Sequence, residues 1–550
     1  MIRKLTVAAL LAILLAVGAF AQDAKTVITN TTQAMGAQNL TSVTYSGSAS
    51  DVNFLQTKSI SGPWPLRPIT NYARAIDLNQ MALRSSGQTN NPGLFGGPGV
   101  AGNYNQNIAA NANSWTAQLD YWVTPWGFLK GAAANNATAR TQRISGKNYT
   151  VVTWSPSIKA PSGIAYTVNG YINDQNMIDR VETWVEHDML GDMHVETLYS
   201  EYKDFGGLKV PTRIIQKRGG WPFFETAVTT AKANPADLAQ LLAAPAGGGR
   251  GGGGGGAPAG GGRGGAAGGA PAPGGAPAGG AANAGRGGAG AVPPPPAAAG
   301  GAPAGGGAPP QGGAPAAGAP RGGGGPAAAA APAPASEKLA DGVYKINGNY
   351  NALAVEFKDY IAVIEGPQNL ARGEAILAET KKVFPTKPIR YIINTHPHSD
   401  HSSGLAPFIA DGAILVTQQD NKDFFEDTLS AKRTLLNDSL AKSGKKPKVE
   451  AVSEKKVIKD DNHSIELYHI IDKDAEKVHS NGIIVAFLPK EKILFQADFT
   501  LPNAGAEANP FTKSLAEHVD RLKLDFNSYL SVHNTNTPQT KADLLKAIGK

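Results

Sequence analysis

Two folded domains are predicted, a mostly antiparallel β domain followed by an α/β domain, separated by a long segment that does not fold. Three observations carry this. Of the 66 Gly and 38 Pro in 550 residues, 36 Gly and 17 Pro fall between Ala243 and Ala335. Before that stretch, short runs alternate polar and apolar residues, the period of strands with one buried face. After it, continuous apolar runs and a helical stretch follow one another in the order strand, helix, strand, which builds a layered α/β sheet.

The segment 243–335 has no aromatic residue, and its only charges are Arg250, Arg263, Arg286 and Arg321. It cannot bury enough apolar surface to offset its ordering entropy, so a disordered Gly/Pro/Ala linker is expected. As a coil it spans roughly 50–60 Å, which implies domains that are tethered rather than docked. Four arginines without interleaved aromatics are too few for an RNA-binding tract. The net charge is +7, of which the linker supplies +4 and Arg3 with Lys4 supply +2. The folded parts are thus nearly neutral, and no nucleic-acid partner is expected.

Residues 1–21 have the pattern of an export signal: Arg3 and Lys4, an apolar run Leu5–Phe20, and Ala19-Phe20-Ala21 before Gln22. Sixteen apolar residues are short for a bilayer span, so cleavage and a periplasmic or secreted location are expected, with no stable membrane span afterwards. The chain has no cysteine. That excludes disulfides, thiolate metal ligands, a cysteine nucleophile and a lipid-bearing cysteine.

In the β-rich domain, 22–242, Asp23 is placed to cap a short helix carrying Val27, Ile28, Ala34 and Met35, stopped by Gly36. Strands are expected at Val43–Gly47, Tyr166–Ile172, Arg180–Glu186, Met193–Tyr202 and Lys209–Lys217, the last pair joined at Gly206-Gly207. The Asn- and Gly-rich stretch from Gln88 to Asn113 reads as a long loop. All seven tryptophans lie in this half. They read first as packing of a β-sheet, and second as a cradle for a hydrophobic ligand. His187 and His194 with Glu186, Asp188 and Asp192 read as solvated turn residues. The segment Tyr199–Ile214 resembles the closing hairpin of outer-membrane lipoprotein-sorting domains, which implies a half-barrel around a helix and a possible lipid ligand.

The chemistry lies in 336–550. Strands are expected at Gly342–Ile346, Ala352–Phe357 and Tyr360–Glu365, then a helix over Ala371–Val383. The buried-type strand Ile389–Asn394 runs straight into Thr395-His396-Pro397-His398-Ser399-Asp400-His401. Three imidazoles and a carboxylate within six residues suit zinc, since neutral imidazole is a preferred ligand and the carboxylate offsets charge. On extended backbone His396 and His398 point the same way, while Asp400 and His401, past the turn, face a second ion.

This His-x-His-x-Asp-His run resembles the signature of the metallo-β-lactamase superfamily, and the resemblance extends over Ser336–Lys550. It implies an αββα sandwich with one or two metal ions at the sheet edge. Residue by residue, His396, His398 and His479 resemble the ligands of a first zinc. Asp400, His401 and His533 resemble those of a second, and Asp498, in Phe-Gln-Ala-Asp, resembles the bridging carboxylate. His463, His469 and His518 match no ligand position and read as structural. The resemblance implies a hydrolase in which two Zn²⁺ (iron or manganese being the other candidates) activate a bridging hydroxide against an ester, lactone, thioester or amide, with Asp400 orienting the nucleophile.

True zinc β-lactamases of this family carry Cys or Ser where Asp498 stands, so a β-lactamase is the alternative rather than the first reading. Seventeen residues follow His533, short of the helical domain with which glyoxalase II binds glutathione. Two other classes stay open: a lipid-binding envelope protein with a subsidiary metal domain, and an iron-dependent oxygen-reducing or sulfur-oxidising enzyme.

Overall fold

The computed structural model describes residues 23–62, 64, 66–91, 100–110, 112–243, 335–474, 477–499, 501, 508–533 and 539–550. The expected export signal, 1–21, and residues 244–334 of the expected linker lie outside them. Among the described residues no helix is long and apolar enough to cross a membrane.

The N-terminal part opens with α1 (Ala24–Ala34), whose first N–H groups are taken up by the Asp23 carboxylate. Eleven strands follow: β1 (Ser42–Val52), β2 (Leu66–Asp77), β3 (Ala82–Asn91), β4 (Val100–Ile108), β5 (Thr138–Ile144), β6 (Lys147–Trp154), β7 (Val168–Ile172), β8 (Ile178–His187), β9 (Gly191–Phe205), β10 (Leu208–Arg218) and β11 (Trp221–Ala233). They form one antiparallel sheet in the order β4-β3-β2-β1-β11-β10-β9-β8-β7-β6-β5. First and last strands pair, Val43 opposite Ala233, so the sheet's edges are β4 and β5. The helices α2 (Trp115–Trp122) and α3 (Pro125–Ala134) connect those edges. Packing of α3 on the sheet is close: a Cβ on Gly170 of β7 would stand 2.2 Å from the Phe128 ring.

One expectation fails here. The stretch read as a loop from Gln88 to Asn113 contains most of a hairpin, β3 with β4, registered from Leu83 opposite Ile108 to Asn91 opposite Val100. An edge strand with one wet face tolerates Asn and Gly, and among residues 101–108 of β4 only Tyr104, Gln106 and Ile108 turn away from solvent. The helices at 115–134 were not anticipated, because their short, Trp-rich stretch has no clear apolar stripe. The tryptophans do pack as core: Trp115, Trp126 and Trp154 are buried, and Trp115 stands 5.3 Å from Tyr166 and 6.1 Å from Trp154.

The C-terminal part has two sheets. The first runs β12 (Ser336–Ala340), β13 (Val343–Ile346), β14 (Ala352–Glu356), β15 (Ile361–Ile364), β16 (Ile389–Ile393), β17 (Ile414–Gln418), β18 (Val449–Val452) in that spatial order. The second is β19 (Lys455–Lys459), β20 (Ser464–His469), β21 (Ile484–Leu488), β22 (Ile493–Gln496), β23 (Ser528–Ser531). One apolar layer joins their inner faces, with Leu353, Ala362, Ile393 and Val416 from one sheet and Ile465, Ala486 and Phe495 from the other. Helix α4 (Leu370–Val383) covers the outer face of the first sheet, and α5 (Pro510–Arg521) covers that of the second through Phe511, Leu515 and Val519. This is the αββα sandwich that the sequence pointed to.

The two parts are docked, contrary to the tethered arrangement expected from linker composition. A single apolar cluster runs from Phe54, Trp64 and Phe224 to Phe424, Leu429 and Leu435. Trp64 stacks on Trp221 at 5.3 Å, and Trp221 reaches Phe424 at 6.1 Å. Asp188 and Asp192, read as solvated, are interface residues. Asp188 accepts from Leu370 N (3.1 Å), and Asp192 accepts from Thr434 N (3.0 Å) and Leu435 N (2.8 Å). Linker composition governs only the tether. Domains on one chain meet at about millimolar effective concentration, so a modest apolar contact keeps them together.

Candidate metal centre

All seven sequence-predicted ligands come together at one edge of the sandwich. His396, His398, Asp400 and His401 follow the C-terminal end of β16, Asp498 and His533 follow β22 and β23, and His479 precedes the antiparallel β21. The donor atoms fall into two groups sharing one carboxylate. In the first, His396 Nε2 and His479 Nε2 stand 3.2 Å apart, and Asp498 Oδ2 lies 3.1 and 3.3 Å from them. His398 joins this group, and His396, His398 and His479 could together hold an ion. In the second, His401 Nε2 is 3.0 Å from His533 Nε2 and 3.2 Å from Asp400 Oδ2. Asp498 serves this group too, with Oδ1 2.8 Å from His533 Nε2 and Oδ2 3.4 Å from His401 Nε2.

These separations test whether the residues fit a metal. Four ligands at zinc–nitrogen or zinc–oxygen distances around one tetrahedral ion stand about 3.3 Å apart. The 3.1–3.3 Å spacings among His396, His479 and Asp498 and the 3.0–3.2 Å spacings of His401 to His533 and Asp400 lie near that edge. His398 adds a second sign: its Nε2–H donates to the Thr57 carbonyl at 3.0 Å, leaving Nδ1, buried and without a hydrogen-bond partner, to offer its lone pair. The residues fit the binding of a metal ion.

The surroundings hold the rings in place. Thr395 Oγ1 contacts His396 Nδ1 at 3.1 Å, and Glu365 accepts from His401 Nδ1 at 3.1 Å and from Thr395 N at 3.0 Å. His396, His398 and His401 are at most 1% exposed, whereas the side chains of Asp400 and His533 are 29% and 28% exposed. The open side of the centre is therefore the side of Asp400 and His533. Burial pushes His398 down to about 3 and His396 well below the ordinary imidazole value. Burial opposes a proton on His401 as well, but the carboxylates of Asp498, Asp400 and Glu365 outweigh it and raise that ring. Asp400 and Asp498, despite burial, lie well below the usual carboxylate range because of His401.

Four neighbours went unread in the sequence: Glu365, Tyr350, Gln56 and Thr57. Glu365 had a signal, since it ends the apolar run Ile361–Ile364 and a charge there calls for a buried partner. Tyr350, whose hydroxyl is 3.4 Å from Asp400 Oδ2 and whose ring meets His533 edge-on at 4.6 Å, had none. The histidines read as structural are accounted for: His463 contacts Glu491 (2.9 Å), His469 the Asn481 carbonyl (2.7 Å) and His518 Asp472 (3.2 Å).

The family model "Metallo-beta-lactamase superfamily" matches residues 366–525. The match covers most of the C-terminal domain, and the αββα sandwich described above is in keeping with it. Comparison with curated proteins finds no match. Similar solved structures include the flavodiiron protein from Giardia intestinalis, at 15% identity and TM-score 0.29, where the match covers 39% of this chain and 58% of that one. A metallo-beta-lactamase from Pontibacter korlensis matches at 17% identity and TM-score 0.29, covering 39% of this chain and 97% of that one. One from Hirschia baltica matches at 22% identity and TM-score 0.28, covering 39% and 95%.

Proposed function

We propose that the chain is an exported hydrolase that holds two divalent ions, zinc foremost, and cleaves an ester, lactone, thioester or amide bond in a small molecule. The observation that carries this is Asp498, whose two oxygens reach donors of both groups at 2.8–3.4 Å. A carboxylate so placed suits a two-ion site. His396, His398 and His479 would hold one ion, Asp400, His401 and His533 the other. Such ions supply Lewis-acid polarisation of the scissile group and water acidic enough to attack at neutral pH.

The protein's own residues supply the rest. Asp400 is anionic and partly exposed, so besides helping to hold the second ion it would orient water at that ion. Tyr350 adds a hydroxyl beside the same oxygen. Glu365 and Thr57 fix ring tautomers by accepting from His401 and His398. The Arg3-Lys4 and Leu5–Phe20 pattern supports export to the periplasm or medium.

Metal analysis of protein purified without added metal separates zinc from iron or manganese. The deciding experiment is a turnover panel of lactones, thioesters, esters, β-lactams and phosphodiesters with fully loaded protein. Turnover of a lactone, ester or thioester, lost in His396→Ala and Asp498→Ala, supports the proposal. Preferred turnover of β-lactams selects the lactamase alternative. No turnover of any class sinks the hydrolase reading.

A further inference from the structure

We propose that the N-terminal domain completes the metal centre, with Gln56 as a positioning residue for Asp400; this rests on the two-ion reading above. The turn after β1 delivers four consecutive residues to the centre. Leu55 O accepts from Ser399 N (3.0 Å), and Gln56 Nε2 donates to Asp400 Oδ1 (2.6 Å) and Ser399 Oγ (3.1 Å). Thr57 O accepts from His398 Nε2 (3.0 Å), and Lys58 O accepts from Asn481 N (2.7 Å). Each contact falls on a donor residue of the centre or within two residues of one.

The chemistry of these contacts is selective. A carboxylate's terminal torsion is broad, so Asp400 left alone presents either oxygen. The Gln56 amide occupies Oδ1 and leaves Oδ2 towards His401 Nε2 at 3.2 Å. The Thr57 carbonyl likewise selects the His398 tautomer with its lone pair on Nδ1. The groups that meet Asp400 Oδ1 and His398 Nε2 thus come from the N-terminal domain, while Tyr350 and His401 of the C-terminal domain meet Asp400 Oδ2.

The β domain holds the turn rigidly enough for this. Gln56 N closes it onto Asn53 O at 3.0 Å, and Leu55, third in the turn, has φ 58°, a region that favours glycine and costs another residue roughly 1–2 kcal/mol. Leu55 stays there because its side chain is fully buried. Phe54 beside it packs edge-on against Trp64 (5.4 Å), Phe223 (5.6 Å) and His187 (6.0 Å). The aromatic cluster that docks the domains thus also aims Gln56.

The test uses the full chain with Gln56→Met, which keeps volume but removes the donor, and Gln56→Ala. Metal-free proteins are titrated with Co²⁺ against a chromophoric chelator, and the ligand-field absorption of each equivalent is recorded. Wild type is expected to bind two equivalents. Both variants should bind one of them as wild type does and the other about 10–100-fold more weakly, with altered absorption for that equivalent. Variants that titrate like wild type overturn the positioning role alone. Equal loss of both equivalents together with a lower unfolding midpoint also overturns it, in favour of general packing. A wild type that binds no Co²⁺ overturns the two-ion reading and this inference with it.

Discussion

Glu365→Gln is a sharp perturbation of the centre because it keeps shape and removes only the charge and one acceptor. Glu365 is fully buried, with Oε1 accepting from Thr395 N at 3.0 Å and Oε2 from His401 Nδ1 at 3.1 Å. Both partners are donors, and an amide offers one acceptor oxygen. With its NH₂ towards Thr395, a backbone N–H is left facing another donor, which costs about 1–3 kcal/mol. With its NH₂ towards His401, the ring must accept at Nδ1 and move its proton to Nε2. That atom faces His533 Nε2 at 3.0 Å and Asp400 Oδ2 at 3.2 Å, and once protonated it has no lone pair for a metal. The second orientation carries an expected loss of about 10–100-fold in affinity, or about 1.4–2.7 kcal/mol, confined to the ion that Asp400, His401 and His533 would hold, whereas the first lowers stability instead. Chelator competition measures it, and ¹⁵N chemical shifts of the His401 ring report the tautomer. If Glu365→Gln binds both equivalents within twofold of wild type, the carboxylate is not what sets that ring.

Two further outcomes follow. His187 is pushed down to about 4 by burial, with Arg433 and Arg218 adding to it, and its Nδ1 accepts from Met189 N and Leu190 N. Its folded value lies below the unfolded 6.5, so the unfolded chain binds the extra proton, and stability falls as pH drops from about 6.5 to 4, by roughly 3 kcal/mol at most. Urea unfolding midpoints of wild type and His187→Gln across that window should converge as pH falls, and parallel profiles refute it. Gly191→Ala is expected to loosen the docking. Gly191 has φ 70°, its added Cβ would stand 2.2 Å from Lys432 O, and the neighbouring Asp192 N bonds that same oxygen at 2.7 Å. A cost of about 2–3 kcal/mol is expected from the left-handed backbone and the displaced hydrogen bond. Faster limited proteolysis between the domains checks it, and an unchanged digestion rate argues that this contact does not hold them.

Much was legible from local pattern. Strand periods placed β8 to β10 and the alternation of β15, α4 and β16, because burial of one or both faces writes itself into a run of five to ten residues. Four donors, His396, His398, Asp400 and His401, were marked by their spacing after an apolar strand, and His479, Asp498 and His533 by their resemblance to the family's ligand positions. The hairpin of β3 and β4 was hidden because an edge strand needs little apolar character, and the helices at 115–134 because two short helices carry too few turns for an apolar stripe to repeat.

What the amino-acid sequence by itself determined is the kind of chemistry: imidazoles and carboxylates crowded after one apolar strand, with no cysteine to compete. What only the tertiary structure decided is how those groups are oriented. Gln56 and Asp400 are 344 residues apart, and their contact exists because the two domains dock through aromatic packing and the hydrogen bonds of Asp188 and Asp192. Glu365 and Thr57 act in the same way, each choosing a ring tautomer by a single hydrogen bond. Local periodicity carries burial, but the direction of a lone pair depends on partners that folding brings from far along the chain.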